Sequence, residues 1–272
     1  MGTPVKPFCL PLFMNLQDGV KTIFSWSEPA ERQNSHVVQM IEQGFAAAKV
    51  FGKALLLLDR YFLAIPTLVR RLKALNASED VLMHIVTKAK LNAVAYEKPS
   101  STTQGRGRPY KKGENIKLKS LFQERKGEFQ TAQVLLYGKE ETVKFLCLDL
   151  LWGQGLYQEL RFVLIVINGR FSILVSTDLT LKATDIISLY GHRSKIEGTF
   201  RTMKQVIGGF SYHFWSKSMP KLNRYLKKDA SQPIEQVNDE LDKENIRLTV
   251  KAIEGYVMCS CIAMGLLQLI FH

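Results

Sequence analysis

Apolar residues along the chain follow two different spacings, which together predict a mixed α/β protein with a strand-rich middle. A spacing of three to four residues predicts helices, and short apolar runs or strict alternation predict strands. The predicted helices cover residues 35–51, which Ser35 caps, and 62–75. The predicted strands cover residues 7–16, 20–26, 53–60, 81–87, 92–97, 129–138, 141–151, 161–167 and 170–177, with a hairpin turn at Asn168-Gly169.

The predicted strand over residues 53–60 reads KALLLLDR and ends at Asp59. Four consecutive leucines predict a central strand that is covered on both faces. A helix with Pro66 in its first turns follows, so Asp59 lies at the carboxyl end of the strand, where open α/β sheets bind ligands. Asp59 is therefore a candidate acidic ligand. An Asp between a strand and a helix is also a common N-cap, so a structural role stays open.

A second candidate site lies in the segment ATDIISLYGHRSKIEGTFRTMKQVIG. On one uniform helix Tyr190, Arg193, Glu197 and Lys204 would fall inside an arc of roughly 60°. That face carries a carboxylate, which suits a metal ion, and two cations, which suit phosphate. An ordinary amphipathic helix with a solvated charged face would show the same spacing.

The order Tyr-x2-Arg-x3-Glu-x6-Lys resembles the signature of the transposases of insertion-sequence family four, a branch of the DDE recombinases. The resemblance runs from about residue 5 to the end of the chain and includes LVSTDLTLKATDIISLY before the signature and YHFWSKSMPKL after it. The string Asp59-Arg60-Tyr61-Phe62 is similar to the family's Asp-x-x-Phe/Tyr element. The resemblance implies a ribonuclease-H-like catalytic core interrupted by a β-rich insertion. Its parts would be a partial core over 1–78, the insertion over 79–178, and the rest of the core with the signature over 179–272.

The resemblance also implies a chemistry, namely cut-and-paste DNA transposition. A protein of this family binds transposon-end DNA and catalyses metal-dependent strand cleavage and transfer. Asp59 and Glu197 would be catalytic and would hold Mg2+ (or Mn2+), while Tyr190, Arg193 and Lys204 would contact DNA. The implied partners are double-stranded DNA and a second copy of the chain, in the bacterial cytoplasm at the nucleoid.

The family's first catalytic Asp has no convincing counterpart in this sequence. Asp18 precedes Asp59, but it lies in Gln-Asp-Gly, which is a turn context. Asp178 ends the last predicted strand and is expected to be mainly structural. We therefore expect a chain that begins inside the catalytic domain, is cut short at its C-terminus, and is incomplete or inactive as an enzyme. The alternative is a noncatalytic DNA-binding relative of the transposases.

Charge supports a polyanionic partner, because the formal net charge is +12. Residues 98–126 hold nine Lys or Arg against two Glu and begin with a Pro/Ser/Thr/Gln/Gly stretch. In this basic loop Arg106, Arg108, Lys111 and Lys112 are predicted to contact DNA phosphates nonspecifically. A solvated basic loop is the alternative. Trp152 is predicted to be a core residue rather than a base-stacking one.

Other classes of site find little support. The four cysteines are predicted to be unpaired core residues of a reducing compartment, and neither they nor the five histidines show zinc-ligand spacing. No Gly-x-x-x-x-Gly-Lys-Ser/Thr motif is present. The apolar run over residues 255–272 is predicted to be a buried core helix, since it is short for a membrane span of about 20 residues. A basic membrane-surface protein remains a third alternative.

Overall fold

The protein is a mixed α/β protein with a mostly open sheet, so the predicted fold class is confirmed at this level. The computed structural model describes residues 9–12, 36–60, 65–77, 81–99, 110–213, 216–221 and 233–270. It contains two compact units: residues Met40–Ser194 form one, and Met1–Gln39 together with Lys195–His272 form the other. The three-part division with boundaries at 78 and 178 stays a prediction.

Two helices and a strand come first in the described part of the chain, close to where the apolar pattern predicts them. They are α1 (His36–Phe51), β1 (Ala54–Leu58) and α2 (Ile65–Asn76). Gly52 separates α1 from β1 with a φ of +95°, a left-handed conformation that glycine adopts at little cost, and its N–H donates to the Ala48 carbonyl. The Ser35 cap and most of the predicted strands at 7–16 and 20–26 lie outside the described residues, and residues 9–12 are not a strand.

Seven strands follow β1 in the Met40–Ser194 unit: β2 (Met83–Ala89), β3 (Val94–Tyr96), β4 (Asn115–Lys117), β5 (Gln130–Leu136), β6 (Lys139–Trp152), β7 (Gln158–Ile167) and β8 (Arg170–Ser176). A short helix, α3 (Leu121–Glu124), joins β4 to β5. The eight strands form one sheet in the order β1-β2-β8-β7-β6-β3-β4, with β5 paired to β6. β1 and β2 are parallel, and the other paired strands are antiparallel.

The strand predictions in this unit are confirmed within a few residues, except for β4. That strand has three residues, Asn-Ile-Lys, which are too few to show an apolar pattern. The predicted hairpin turn is confirmed: Asn168 and Gly169 join β7 to β8 with φ values of 47° and 72°. Two consecutive positive φ values are what a two-residue hairpin turn requires.

β7 is one of the central strands that are covered on both faces. Leu160, Phe162 and Leu164 pack in one core cluster, while Val163 and Ile165 pack in another. The prediction that β1 is central is wrong within the described part of the chain, and its cover on two faces is only partial: Leu55 and Leu57 pack against the second cluster, and Leu56 lies close to Gly44 of α1. There β1 lies at the end of the strand order, and of its leucines Leu58 alone is fully buried. An edge strand has a neighbour on one side, so its side chains keep more exposure.

Trp152 belongs to the core, as predicted. It packs against the first of these clusters, and its ring centroid lies 5.4 Å from that of Phe162. The same sheet is covered on its other face by α4 (Ala183–Gly191), whose Ile186 and Ile187 are buried among residues of the second cluster. Burial of these two isoleucines fixes α4 against the sheet.

The signature segment is not one uniform α-helix. After α4 comes a 3-10 turn, His192–Ser194, which ends the Met40–Ser194 unit. In the other unit α5 (Lys195–Thr202) is followed by a π-helical turn, Met203–Ile207. The Ser194 hydroxyl donates to the Gly191 carbonyl at 2.9 Å, a local bond that competes with the helical pattern. The predicted 60° arc assumes 100° per residue throughout, so it does not apply to this segment.

A long helix, α6 (Glu240–Ile270), ends the described chain. The helix prediction for 255–270 is confirmed, but the prediction that it is buried is wrong. One stripe of α6 is buried, because its apolar residues recur on one face, while large apolar side chains elsewhere on the helix are exposed. By length and composition α6 could cross a membrane, since it has 31 residues and an 18-residue window with a mean hydropathy of 1.7 that is 28% buried. One such helix is weak evidence for a membrane span. The buried stripe contains Ile246, Val250, Val257, Ser260, Cys261 and Met264.

Candidate nucleic-acid interface

Asp59 lies directly after β1, at the carboxyl end of the strand, as predicted. Parallel pairing sets Leu58 beside Thr87 of β2, and the Thr87 hydroxyl donates to the Asp59 carbonyl at 3.2 Å. The Arg60 backbone N–H donates to Asp59 Oδ1 at 2.7 Å. The Asp59 side chain remains 46% exposed, so its carboxylate is anchored by the backbone and still reachable from solvent.

Two signature residues meet the end of β1 from the helix side. Arg193, in the 3-10 turn, places Nη2 at 3.0 Å from Asp59 Oδ2. Tyr190, in the last turn of α4, donates its hydroxyl to the Leu58 carbonyl at 3.2 Å. Residues three apart lie on one side of a helix, which is why both reach the end of β1, Tyr190 at Leu58 and Arg193 at the next residue, Asp59. The structure therefore brings together Asp59, Tyr190 and Arg193.

Burial controls the ionisation of the Tyr190 phenol. It raises the pKa of Tyr190 to about 12, with the neighbouring Arg193 acting in the opposite direction and Asp59 in the same one. The phenol is neutral at pH 7, as an ordinary tyrosine is, and the raised pKa keeps it a hydrogen-bond donor to a higher pH. In the structure the hydroxyl donates to the Leu58 carbonyl and so links α4 to β1.

The other two signature residues lie in the second unit. Glu197 is in the first turn of α5, and Lys204 is in the π-helical turn. Both side chains are exposed. Gly208 ends the π-helical turn with a φ of 70°, and the Gly209 N–H donates to the Met203 carbonyl at 2.8 Å, which closes the helix end.

The basic loop is described in part. Arg106 and Arg108 lie outside the described residues, and Lys111 is exposed. Lys112 places Nζ at 4.2 Å from the ring centroid of Tyr96 and 5.8 Å from that of Tyr157, and it donates to Asn115 Oδ1 at 3.2 Å. No spacing in the sequence links Tyr96, Lys112 and Tyr157, so this cation–π cluster is not predictable from local patterns.

Asp178 has a structural role, as expected, at the opposite end of β2 from Asp59. Its carboxylate accepts hydrogen bonds of 2.7 Å from both the backbone N–H and the hydroxyl of Thr180. His84 Nε2 lies 3.8 Å from Asp178 Oδ2. Burial alone would raise the pKa of Asp178, but the Thr180 hydrogen bonds and His84 lower it below its ordinary value.

The donor set in the described part of the chain does not fit a two-metal centre. Such a centre needs several carboxylates around the ions. No group of three or more His, Cys, Asp and Glu side chains comes together among the described residues. Each oxygen of the Asp59 carboxylate already has a donor, one from the backbone of Arg60 and one from the Arg193 guanidinium.

Comparison with known proteins adds no family assignment: no protein-family model matches the chain, and no significant match was found among curated proteins or solved structures. The resemblance to the DDE transposases therefore stays a prediction from the signature residues.

Proposed function

We propose that this chain is a DNA-binding protein of the DDE transposase type with a ribonuclease-H-like fold. It binds double-stranded DNA as a homodimer, in the bacterial cytoplasm at the nucleoid. The main support is the meeting of Asp59, Tyr190 and Arg193 at the carboxyl end of β1. Leu58 and Tyr190 are 132 positions apart in the chain. A merely solvated helix face would not place two of its polar residues on that strand end.

Charge supports the same proposal. The formal net charge of +12 favours a polyanion, and the exposed cations Lys111 and Lys204 are available to phosphate. Binding of this kind releases counterions from DNA, so it weakens steeply as salt rises. A protein that binds duplex DNA through such cations is recognised by its salt dependence.

The test is fluorescence anisotropy of a labelled DNA duplex over a series of salt concentrations. Lys111→Gln and Lys204→Gln should each weaken DNA binding. Each should also make the negative slope of log K against log salt shallower by about 0.9, the value for one lost phosphate contact. Lys49→Gln is the matched control, since Lys49 is an exposed lysine of α1 with the same charge and no predicted contact with DNA; its Nζ lies 5.5 Å from the ring centroid of Phe45. Absence of salt-sensitive binding, or equal losses in all three variants, would reject the proposal.

Strand cleavage and transfer is a second candidate function. The observation that favours it is the position of Asp59, which is partly exposed at the carboxyl end of β1. Ligands of open α/β sheets bind at the carboxyl ends of the strands. The assay is nicking of supercoiled plasmid with Mg2+ or Mn2+, comparing wild type with Glu197→Gln and Asp59→Asn. Nicking that requires the divalent ion and vanishes in both variants would establish this function, and nicking that persists in both would refute it.

A further inference from the structure

We propose that the Asp59 carboxylate competes with DNA phosphate for the Arg193 guanidinium, so that the chain inhibits its own DNA binding at this position. The inference rests on the proposed DNA-binding function and describes how that site is regulated. It predicts that removal of the Asp59 carboxylate strengthens DNA binding.

The geometry supports the competition. A carboxylate and a phosphate both present oxygens that match the guanidinium fork. Asp59 Oδ2 lies 3.0 Å from Arg193 Nη2, within the distance of a charge-assisted contact. Asp59 therefore occupies a donor of Arg193 that a phosphate would use.

Both partners of the ion pair are held in place by neighbouring groups. On the strand side, the Arg60 N–H binds Asp59 Oδ1, and the Thr87 hydroxyl binds the Asp59 carbonyl. On the helix side, the Tyr190 hydroxyl ties α4 to the Leu58 carbonyl three residues before Arg193. The pair thus re-forms whenever a phosphate leaves, because neither backbone has to move to restore it.

Exposure limits the size of the effect. The side chains of Arg193 and Asp59 are 26% and 46% exposed, so water can reach the pair and a phosphate can displace the carboxylate. An ion pair of this exposure changes an equilibrium by no more than about fivefold. Asp59→Asn should therefore tighten DNA binding by about two- to fivefold and steepen the salt slope by about 0.9, one extra phosphate contact.

A metal-ligand role for Asp59 predicts the opposite sign. If Asp59 held a divalent ion that also bound phosphate, Asp59→Asn would weaken DNA binding in Mg2+ and would change little in EDTA. Competition for Arg193 predicts stronger binding in both conditions. The comparison measures DNA affinity, so it does not depend on catalysis.

The experiment measures duplex affinity by anisotropy, in EDTA and in Mg2+, for wild type, Asp59→Asn, Arg193→Gln and the double variant. Glu140→Gln is the matched control, because Glu140 is an exposed acid of the same unit and its removal changes the net charge equally. The gain should appear in Asp59→Asn, exceed that of Glu140→Gln, and disappear when Arg193 is also replaced. Asp59→Ser provides a second removal of the charge if Asp59→Asn does not fold.

The outcomes separate the inference from the proposed function. If wild type binds DNA and Asp59→Asn binds no tighter than Glu140→Gln, the competition is refuted and DNA binding stands. A gain that persists without Arg193 refutes it as well. If no variant binds DNA, the proposed function fails and the competition fails with it.

Discussion

Replacing Tyr190 by Phe tests the contact that ties α4 to the end of β1. The variant keeps the ring and removes the hydroxyl that donates to the Leu58 carbonyl at 3.2 Å. An intramolecular hydrogen bond contributes about 1 kcal/mol net, and Leu58 is 4% exposed, so water replaces the lost donor poorly. We expect the free energy of unfolding to fall by about 1 kcal/mol, with a Tm lower by about 3 °C.

The same residue predicts a pH dependence, because burial raises the pKa of Tyr190 to about 12 in the folded protein. An unfolded tyrosine ionises near pH 10. Between these values the unfolded chain loses its proton first, so the folded state is progressively disfavoured. The stabilisation is therefore fully present below about pH 10 and is lost as pH rises toward 12.

Urea unfolding followed by circular dichroism, at pH 7 and in steps from pH 9 to 12, measures both effects. The control is Tyr110→Phe, which removes a phenol from a residue that is 72% exposed. Wild type should lose more stability above pH 10 than Tyr190→Phe does, since the variant has no proton to release at this position. Equal stability of wild type and Tyr190→Phe at pH 7, with parallel curves above pH 10, would refute the reasoning.

Three further predictions concern packing, backbone conformation and charge. Phe162→Ala should lower the free energy of unfolding, measured in urea, by about 4 kcal/mol, since Phe162 is fully buried. Phe171→Ala should lower it by less than half as much, since Phe171 is 51% exposed. Gly208→Ala should lower Tm through about 1 kcal/mol of strain at its φ of 70°, whereas Gly127→Ala should not lower it. Asp178→Asn should lower the free energy of unfolding at pH 7, because the lowered pKa of Asp178 means that its ionised form stabilises the fold. The difference from wild type should shrink as pH falls below about 4, where the acid becomes protonated, and an equal difference at pH 3 would contradict this.

Local features of this fold were readable from the chain. The helices α1 and α2 and the strands β5 to β8 were predicted within a few residues, and so was the turn at Asn168-Gly169. Each depends on the spacing of apolar residues or on a conformation that neighbouring residues favour. Local patterns did not reveal β4, which is too short and polar, or the 3-10 and π-helical turns that interrupt the signature segment.

Strand order could not be read in the same way. The leucine run of β1 and the apolar run of β7 both predict a strand that can be covered on two faces. In the described sheet β7 has neighbours on both sides, whereas β1 has β2 on one side. An apolar run indicates which residues can be buried, but it does not indicate which strands pair with the strand that it forms.

The candidate site shows the same division. The sequence by itself determined that Asp59 follows a strand and that Tyr190 and Arg193 lie three residues apart on helical backbone, because these are properties of near neighbours. Only the tertiary structure decided that Arg193 meets Asp59, that Tyr190 binds the Leu58 carbonyl, and that Lys112 lies against Tyr96 and Tyr157. Those contacts join residues far apart in the chain, and they form because burial of apolar surface brings the helix and the strands together.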